Sequence, residues 1–281
     1  MTRDATDGPE VEWSRLKAQE LRALAARGAA AILPVASMEQ HGPHLPVQTD
    51  ACLGLEVARR AARLAWDDAP AVVAPVVWQG LSEHHMPFGG TLTLSHQTFR
   101  AVLMDLIESL RRQGFRRILL SNSHGGNITA LNALVDEMGA RRAEDLGAPA
   151  LVAATYAVEA AEAFAPLLED QDGVQHACEA ETSMMLACAP DLVDAAILGE
   201  VGTPFPGRAL GGGGAHRWRP FEHLTGDGAL GVPARATAEK GEALLAAGAQ
   251  SLAALLRDDA VWAAAGDRRG AATGGVPFAD R

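Results

Sequence analysis

Four short apolar runs, residues 29–35, 71–77, 117–122 and 148–154, alternate along this chain with longer stretches whose apolar residues recur at helical spacing. The runs read as β-strands. Between them, residues 11–26 carry Trp13, Leu16, Leu21 and Leu24 at nearly helical spacing, and 52–66 and 98–113 are longer, better defined helical patterns. Strand and helix alternating in this order predict an α/β fold, a three-layer α/β/α arrangement whose mainly parallel central sheet is covered on both faces. In such a sheet the chemistry belongs at the carboxyl ends of the strands. Glu39 and His41 follow the first run and Ser123-His124-Gly125-Gly126-Asn127 follows the third, which places both on one edge. With 281 residues, 48% of them hydrophobic, the chain is long enough for one sizeable core. One domain over residues 1–262 is expected, followed by a flexible tail, 263–281, that has little to bury.

Residues 33–50 set Glu39, His41 and Asp50, three metal-ligand types, behind an apolar run. Two residues apart on an extended backbone, Glu39 and His41 point to the same side and can share a site. Asp50 arrives at the start of the next helical segment, after a loop punctuated by Gly42-Pro43 and Pro46 that can fold it back toward them. A carboxylate there can also bridge two cations. His124 precedes two glycines, which allow close backbone approach to a metal or substrate. Glu179 and Glu181 lie two apart in a segment that turns helical, so they cannot share one helix face. Glu83-His84-His85, taken alone, reads as a metal site or as a substrate-lining loop, and its place after the second strand favours the loop.

Glu39-Gln40-His41-Gly42-Pro43-His44, with Asp50 beyond it, resembles the hallmark of the creatininase (creatinine amidohydrolase) family, Glu-Gln-His-Gly-x-His with an Asp a few residues on. Residues 119–127 resemble the family's second metal-binding turn, 176–183 its third motif and 236–241 a common C-terminal element. Glu83-His84-His85 with Pro87 to Thr91 resembles its Glu-His-x-x-x-Pro-Gly-Thr loop. Several motifs in the family's order and spacing are strong where one alone is weak. The resemblance implies two divalent metal ions, Glu39 and His124 on one, His41 and Glu181 on the other, and Asp50 as the bridge. Mixed nitrogen and oxygen ligands suit zinc or manganese. His176 matches the family's catalytic histidine, suited to proton transfer to a departing amine, and Glu181 is counted with it in the catalytic set. His44 is expected to order its loop rather than to bind metal. Glu83, His84, Gly125, Gly126 and Asn127 are expected to line the substrate, with Glu179 behind Glu181 as a supporting or substrate contact, and Trp78 and Trp218 can supply apolar walls.

Gly125-Gly126 stands where creatininase itself has Tyr-Glu, so the resemblance carries fold and metal chemistry further than it carries creatinine as substrate. His-Gly-Gly-Asn is the form of other branches, including hydrolases of formamides and a peptidase for a modified redox peptide. The implied activity is hydrolysis of a C–N bond (amide, cyclic amide or formamide) of a small molecule by metal-activated water. The runner-up is a metallopeptidase of the mycofactocin-system type acting on a small modified peptide, and the third reading is a non-catalytic binding member. A homo-oligomer is implied by the resemblance alone, related enzymes often being hexamers built from dimers.

A formal net charge of −11 with no Lys/Arg-rich cluster argues against a nucleic-acid surface. The first residues lack the apolar core of a signal peptide and no run of eighteen apolar residues occurs, so a cytoplasmic protein without membrane association is expected. Cys52, Cys178 and Cys188 lack C-x-x-C spacing and indicate neither disulfides nor a thiolate zinc site, and Cys178 reads as a small packing residue. Residues 202–231 hold Pro204, Pro206, four glycines at 211–214, and Arg208, His216, Trp218 and His223. They predict a long loop covering or bordering the metal site, with a subunit contact as its alternative.

Overall fold

The computed structural model describes residues 8–142, 149–171, 173–204 and 217–263. Its centre is an all-parallel sheet of β1 (Ala30–Val35), β2 (Ala71–Val73), β3 (Arg117–Asn122) and β4 (Ala150–Thr155), in the order β2-β1-β3-β4. The helices are α1 (Ala18–Ala26), α2 (Thr49–Ala65), α3 (His96–Arg112), α4 (Ile128–Arg142), the one-turn α5 (Tyr156–Glu159) and α6 (Ala161–Phe164), α7 (Glu179–Cys188), α8 (Ala238–Arg257) and α9 (Asp259–Trp262).

Successive strand residues face opposite sides of a sheet, and the two cores follow that alternation. Ala30, Ile32 and Leu119 join α2, α7 and α8 on one face, through Leu53, Val57, Met184, Leu244 and Leu252. Ala31, Leu33, Ile118 and Leu120 join α1, α3 and α4 on the other, through Leu24, Phe99, Leu103, Ile107 and Leu131. The expected three-layer α/β/α fold is thus present. No helix among the described residues is long and apolar enough to cross a membrane.

Several expected boundaries move for identifiable reasons. The second strand was expected over 71–77 but leaves the ladder after Val73, since Pro75 has no amide hydrogen to donate. Val77 then returns to the end of β1, its N–H bonding Pro34 O at 2.9 Å. The first helix, expected from 11, begins at Ala18, because Val11 is drawn into the sheet, where its carbonyl accepts from Val73 N–H at 2.7 Å. Helix α2 starts at Thr49, three residues before the expected helical pattern, and so takes Asp50 into its first turn, where the exposed N–H groups of a helix favour a negative charge. The expected tail lies outside the described residues beyond Ala263, as do Arg208, His216 and the four glycines of the 202–231 loop.

Helix α8 packs on α7 and α2 through small residues. A Cβ added at Gly241 would sit 1.9 Å from Ser183 O in the backbone of α7, so only glycine permits this approach. Gly241→Ala is therefore expected to destabilise the chain by roughly 1–3 kcal/mol, the usual cost of overpacking, read as a lower midpoint in a urea melt. An unchanged midpoint would mean that the two helices do not meet this closely.

Candidate metal centre

Strand β1 lies between β2 and β3, and the chain leaves it through α2 toward one neighbour and later reaches the other through α3. The reversal opens a crevice at the carboxyl end of β1, the usual ligand position in an open α/β sheet. Residues 38–47 emerge there, held by Glu39 N–H to Val47 O (3.0 Å), Leu92 N–H to Met38 O (2.8 Å) and a turn at Gly42 with φ of 63°. That turn carries the chain back into α2 and brings Asp50 beside Glu39 and His41. His124 lies two residues past the end of β3, and the first turn of α7 supplies Glu181.

The five residues meet in one buried cluster, with Asp50 between two imidazole–carboxylate pairs. His41 Nε2 lies 3.4 Å from Asp50 Oδ1 and 3.7 Å from Glu181 Oε2. His124 Nδ1 lies 3.2 Å from Glu39 Oε1 and 3.4 Å from Asp50 Oδ2. In each histidine the other ring nitrogen meets a backbone carbonyl: His41 Nδ1 reaches Glu39 O at 3.1 Å and His124 Nε2 reaches Leu81 O at 3.1 Å. Those carbonyls need a donor, so they hold the outer N–H in place and aim the inner nitrogen at the carboxylates, where a cation that displaced its proton would meet the lone pair, the orientation of a metal-binding imidazole. Glu39 Oε1, His41 Nε2 and Asp50 Oδ2 are buried and have no hydrogen-bond partner. Buried polar atoms without partners are costly, and a divalent cation among these atoms would satisfy them. The donor set fits such an ion.

Two residues outside the expected ligand set join them. His176 Nε2 bonds Gln40 O at 2.7 Å, turning Nδ1 inward to 3.5 Å from Glu39 Oε1, and His85 Nε2 lies 3.2 Å from the same oxygen. Ligand atoms within 4.8 Å of one another occur in three groups among the described residues: Glu39, His41 and Asp50; His41, His176 and Glu181; and Glu39, His85 and His176.

Charge in this pocket is finely opposed. Burial works against an ionised Glu39, but His124 and His85 hold its pKa well below the usual carboxylate range. Burial pushes Glu181 up to about 7, helped by Asp50 and opposed by His41. Burial also disfavours a charged His41, yet Asp50, Glu181 and Glu39 outweigh it and hold its pKa at about 9, while Glu39 and Asp50 raise His124 well above its ordinary value. In the chain alone, protons on these two imidazoles neutralise the carboxylates. Divalent cations would do so from the same positions.

The surrounding residues hold the cluster in place. Ser82 Oγ donates to Glu39 Oε2 at 2.5 Å and also meets Ser37 Oγ. The Gln40 amide is oriented by Gly42 N–H on its Oε1 (2.9 Å), so its Nε2 donates to His85 Nδ1 (2.8 Å) and Gly228 O (3.1 Å). A Cβ at Gly126 would lie 2.4 Å from both His124 Nε2 and Leu81 O, so glycine there lets the His124 ring reach its carbonyl. Asn127, expected to line the substrate, instead ties the ends of β1 and β3 together, accepting from Leu81 N–H (3.0 Å) and donating to Ala36 O (3.0 Å) and Asn122 Oδ1 (3.2 Å). His44 bonds Thr182 Oγ1 at 2.9 Å, apart from the carboxylates, and burial together with His41 lowers its pKa to about 4.

Of the other expected contacts, some border the cluster and others turn away from it. Glu83 is exposed, and it is His85, two residues on, that reaches Glu39. His84 stacks beside His124, ring centres 5.7 Å apart, and burial with its histidine neighbours lowers its pKa to about 3. Glu179 is fully buried but turned from the cluster toward Lys240 Nζ, 2.6 Å away. Gly125 has open space where a side chain would go. Trp218 is 57% exposed and Trp78 is 43% exposed. Within 202–231 the described residues 217–231 border the cluster through residues not named among the expected ones: the Phe221 ring lies 4.1 Å from that of His85 and 4.9 Å from that of His176, and Leu230 N–H bonds His176 O at 2.8 Å. His223 is exposed.

Known proteins share this arrangement of fold and motifs. Residues 14–256 match the family Creatininase, described as creatinine amidohydrolase. A mycofactocin precursor peptide peptidase of Mycolicibacterium smegmatis is 32% identical over 222 residues, 76% of this chain and 79% of that protein. A creatinine amidohydrolase of Pseudomonas putida is 26% identical over 269 residues, 89% of this chain and 95% of that protein. A solved structure described as creatininase with Mn superposes with a TM-score of 0.72 at 27% identity, over 89% of this chain and 99% of the other. Matched along most of its length in both sequence and fold, the chain belongs to the creatininase family.

Proposed function

We propose that this chain is a dinuclear metal-dependent hydrolase of C–N bonds, with Glu39 and His124 holding one divalent ion, His41 and Glu181 the other, and Asp50 bridging them. The observation that carries the proposal is the division of Asp50, one oxygen directed to His41 and the other to His124, inside a pocket whose inner atoms lack partners. Zinc and manganese both suit this donor set. Such ions polarise a scissile carbonyl and lower the pKa of water from about 15.7 toward roughly 7. His176 accepts a proton at Nδ1 and delivers it to the departing amine, since Gln40 O keeps Nε2 occupied. Phe221, against His85 and His176, gives the pocket an apolar side and excludes water from the proton's path.

The substrate is a small amide, cyclic amide or formamide. A short modified peptide is the second reading, favoured by the higher identity to the mycofactocin peptidase, 32%, than to the P. putida creatininase, 26%. Incubating the metal-replete protein with lactams, ureides, formamides and short peptides separates the two. Turnover of a small amide supports the first reading and turnover of peptides alone the second, while turnover of none, with metal bound, would favour a binding protein.

His176→Asn is expected to lower kcat by about 10²-fold or more, the lower end of what a positioned acid–base group supplies, with metal content near that of the parent. Metal analysis beside steady-state kinetics checks both. Wild-type turnover would remove His176 from the mechanism, and loss of a metal would make it a ligand.

A further inference from the structure

Lys240 belongs to the C-terminal sequence element 236–241, which the metal chemistry leaves without a task. Its ammonium donates to Glu179 Oε1 at 2.6 Å, Glu169 Oε1 at 2.5 Å and Arg235 O at 2.9 Å. All three ammonium hydrogens are therefore used. Glu179 is fully buried, and its carboxylate also accepts from Glu169 N–H at 3.1 and 3.3 Å. Residues 169 and 179 are the two ends of the segment that carries His176. One ammonium and one amide hydrogen close it at the neck.

That segment is strained where it meets the metal centre. Ala177 has φ of 51°, the one positive value at a non-glycine position among the described residues, and the left-handed region is unfavourable for a residue with a Cβ. Its N–H donates to Glu181 Oε2 at 2.6 Å, so the strained residue is bonded to a proposed ligand and adjoins the proposed proton carrier. Glu179 and Glu181, two positions apart on α7, point about 200° from each other. The first turn of α7 is thus pinned on one side by Lys240 and faces the metals on the other. The docking of α8 is close enough to make this pin rigid: Gly241 abuts Ser183 O, Thr237 N–H bonds Ser183 Oγ at 3.2 Å, and Ser183 Oγ bonds Glu179 O at 2.6 Å.

We propose that Lys240 is a positioning residue: by locking Glu169 to Glu179 it holds Ala177 in its left-handed conformation and so sets His176 and Glu181 at the centre. The role of Glu181 and His176 rests on the metallohydrolase reading, whereas the lock itself does not. Lys240→Met keeps the length of the side chain and removes the ammonium. Hydrogen exchange of the metal-free full chain, followed by mass spectrometry, is expected to quicken at least about tenfold over residues 173–181 with β1 and β3 unchanged. In the metal-replete protein, affinity for one of the two ions and kcat are each expected to fall about 10- to 100-fold, the range for outer partners of a metal site, with the second ion retained.

A uniform loss of thermal stability without local exchange would overturn the proposal, as would faster local exchange with metal affinity and kcat unchanged. Should Lys240→Met fail to fold with Glu179 left buried beside no cation, Glu169→Ala opens the other arm of the same lock and is expected to quicken exchange over the same residues; unchanged exchange there overturns the proposal. Local exchange that quickens in a protein whose wild type takes up no metal supports the lock and counts against the metallohydrolase reading instead.

Discussion

Asp50→Ala is expected to abolish hydrolysis and to leave fewer than two metal ions per chain. Its two carboxylate oxygens face His41 and His124 separately, at 3.4 Å each, so in the proposed dinuclear centre one substitution removes a ligand from both ions together. Loss of an outer partner of a metal site already costs about 10–100-fold in affinity or activity, and loss of a shared inner ligand is expected to exceed that range. His44→Ala is the control. That ring bonds Thr182 and meets no carboxylate of the cluster, so metal content and most of the activity are expected to survive. Metal analysis of the two variants beside kinetics checks the pair. Two ions and full activity in Asp50→Ala would remove the bridge.

Chelation is expected to have the second largest effect, on stability as well as activity. Glu39, Asp50 and Glu181 are 0%, 2% and 6% exposed, and three carboxylates cannot share so dry a pocket without counter-charge. An ion that binds only the folded chain stabilises it by about 4.1 kcal/mol at a free concentration of 1,000 Kd. For a chain of this size each kcal/mol moves Tm by about 2–4 °C, so removal of one ion is expected to lower Tm by roughly 8–16 °C. Re-addition of zinc or manganese, but not magnesium alone, is expected to restore it, because imidazole nitrogens suit the first two better. A Tm indifferent to chelator would mean that protons on His41 and His124 are the pocket's permanent counter-charge.

The sheet and the inner cluster were legible in the sequence because each is set by local pattern. Residues 117–122 form β3 with the expected ends, and Glu39, His41 and His124 follow strand ends where a parallel sheet puts its crevice. Asp50 was reachable because Gly42 and the prolines after it declare a turn. What escaped depends on contacts distant in sequence. The choice of Glu181 over Glu179 rests on the family resemblance and not on spacing, because Lys240, some sixty positions on, is what claims Glu179 for the opposite side of α7. Between His84 and His85 the choice is made by the 3₁₀ turn of Glu83–Phe88, whose tighter winding aims the second ring at Glu39 and leaves Glu83 in solvent. Gln40 stood inside the most visible motif, yet its task, bonding His85 and Gly228, requires residues 45 and 188 positions away. Ser82 carries no signal of its own in the sequence, and neither does Phe221, three residues from the more conspicuous Trp218.

The most direct measurement is a crystal of the manganese- or zinc-replete protein with data collected on both sides of the metal's absorption edge. Two anomalous peaks about 3.5–4 Å apart, one beside Glu39 and His124, the other beside His41 and Glu181, with the Asp50 carboxylate between them, are the expected result. A single peak, or two peaks with Asp50 bound to neither, would contradict a bridged dinuclear centre.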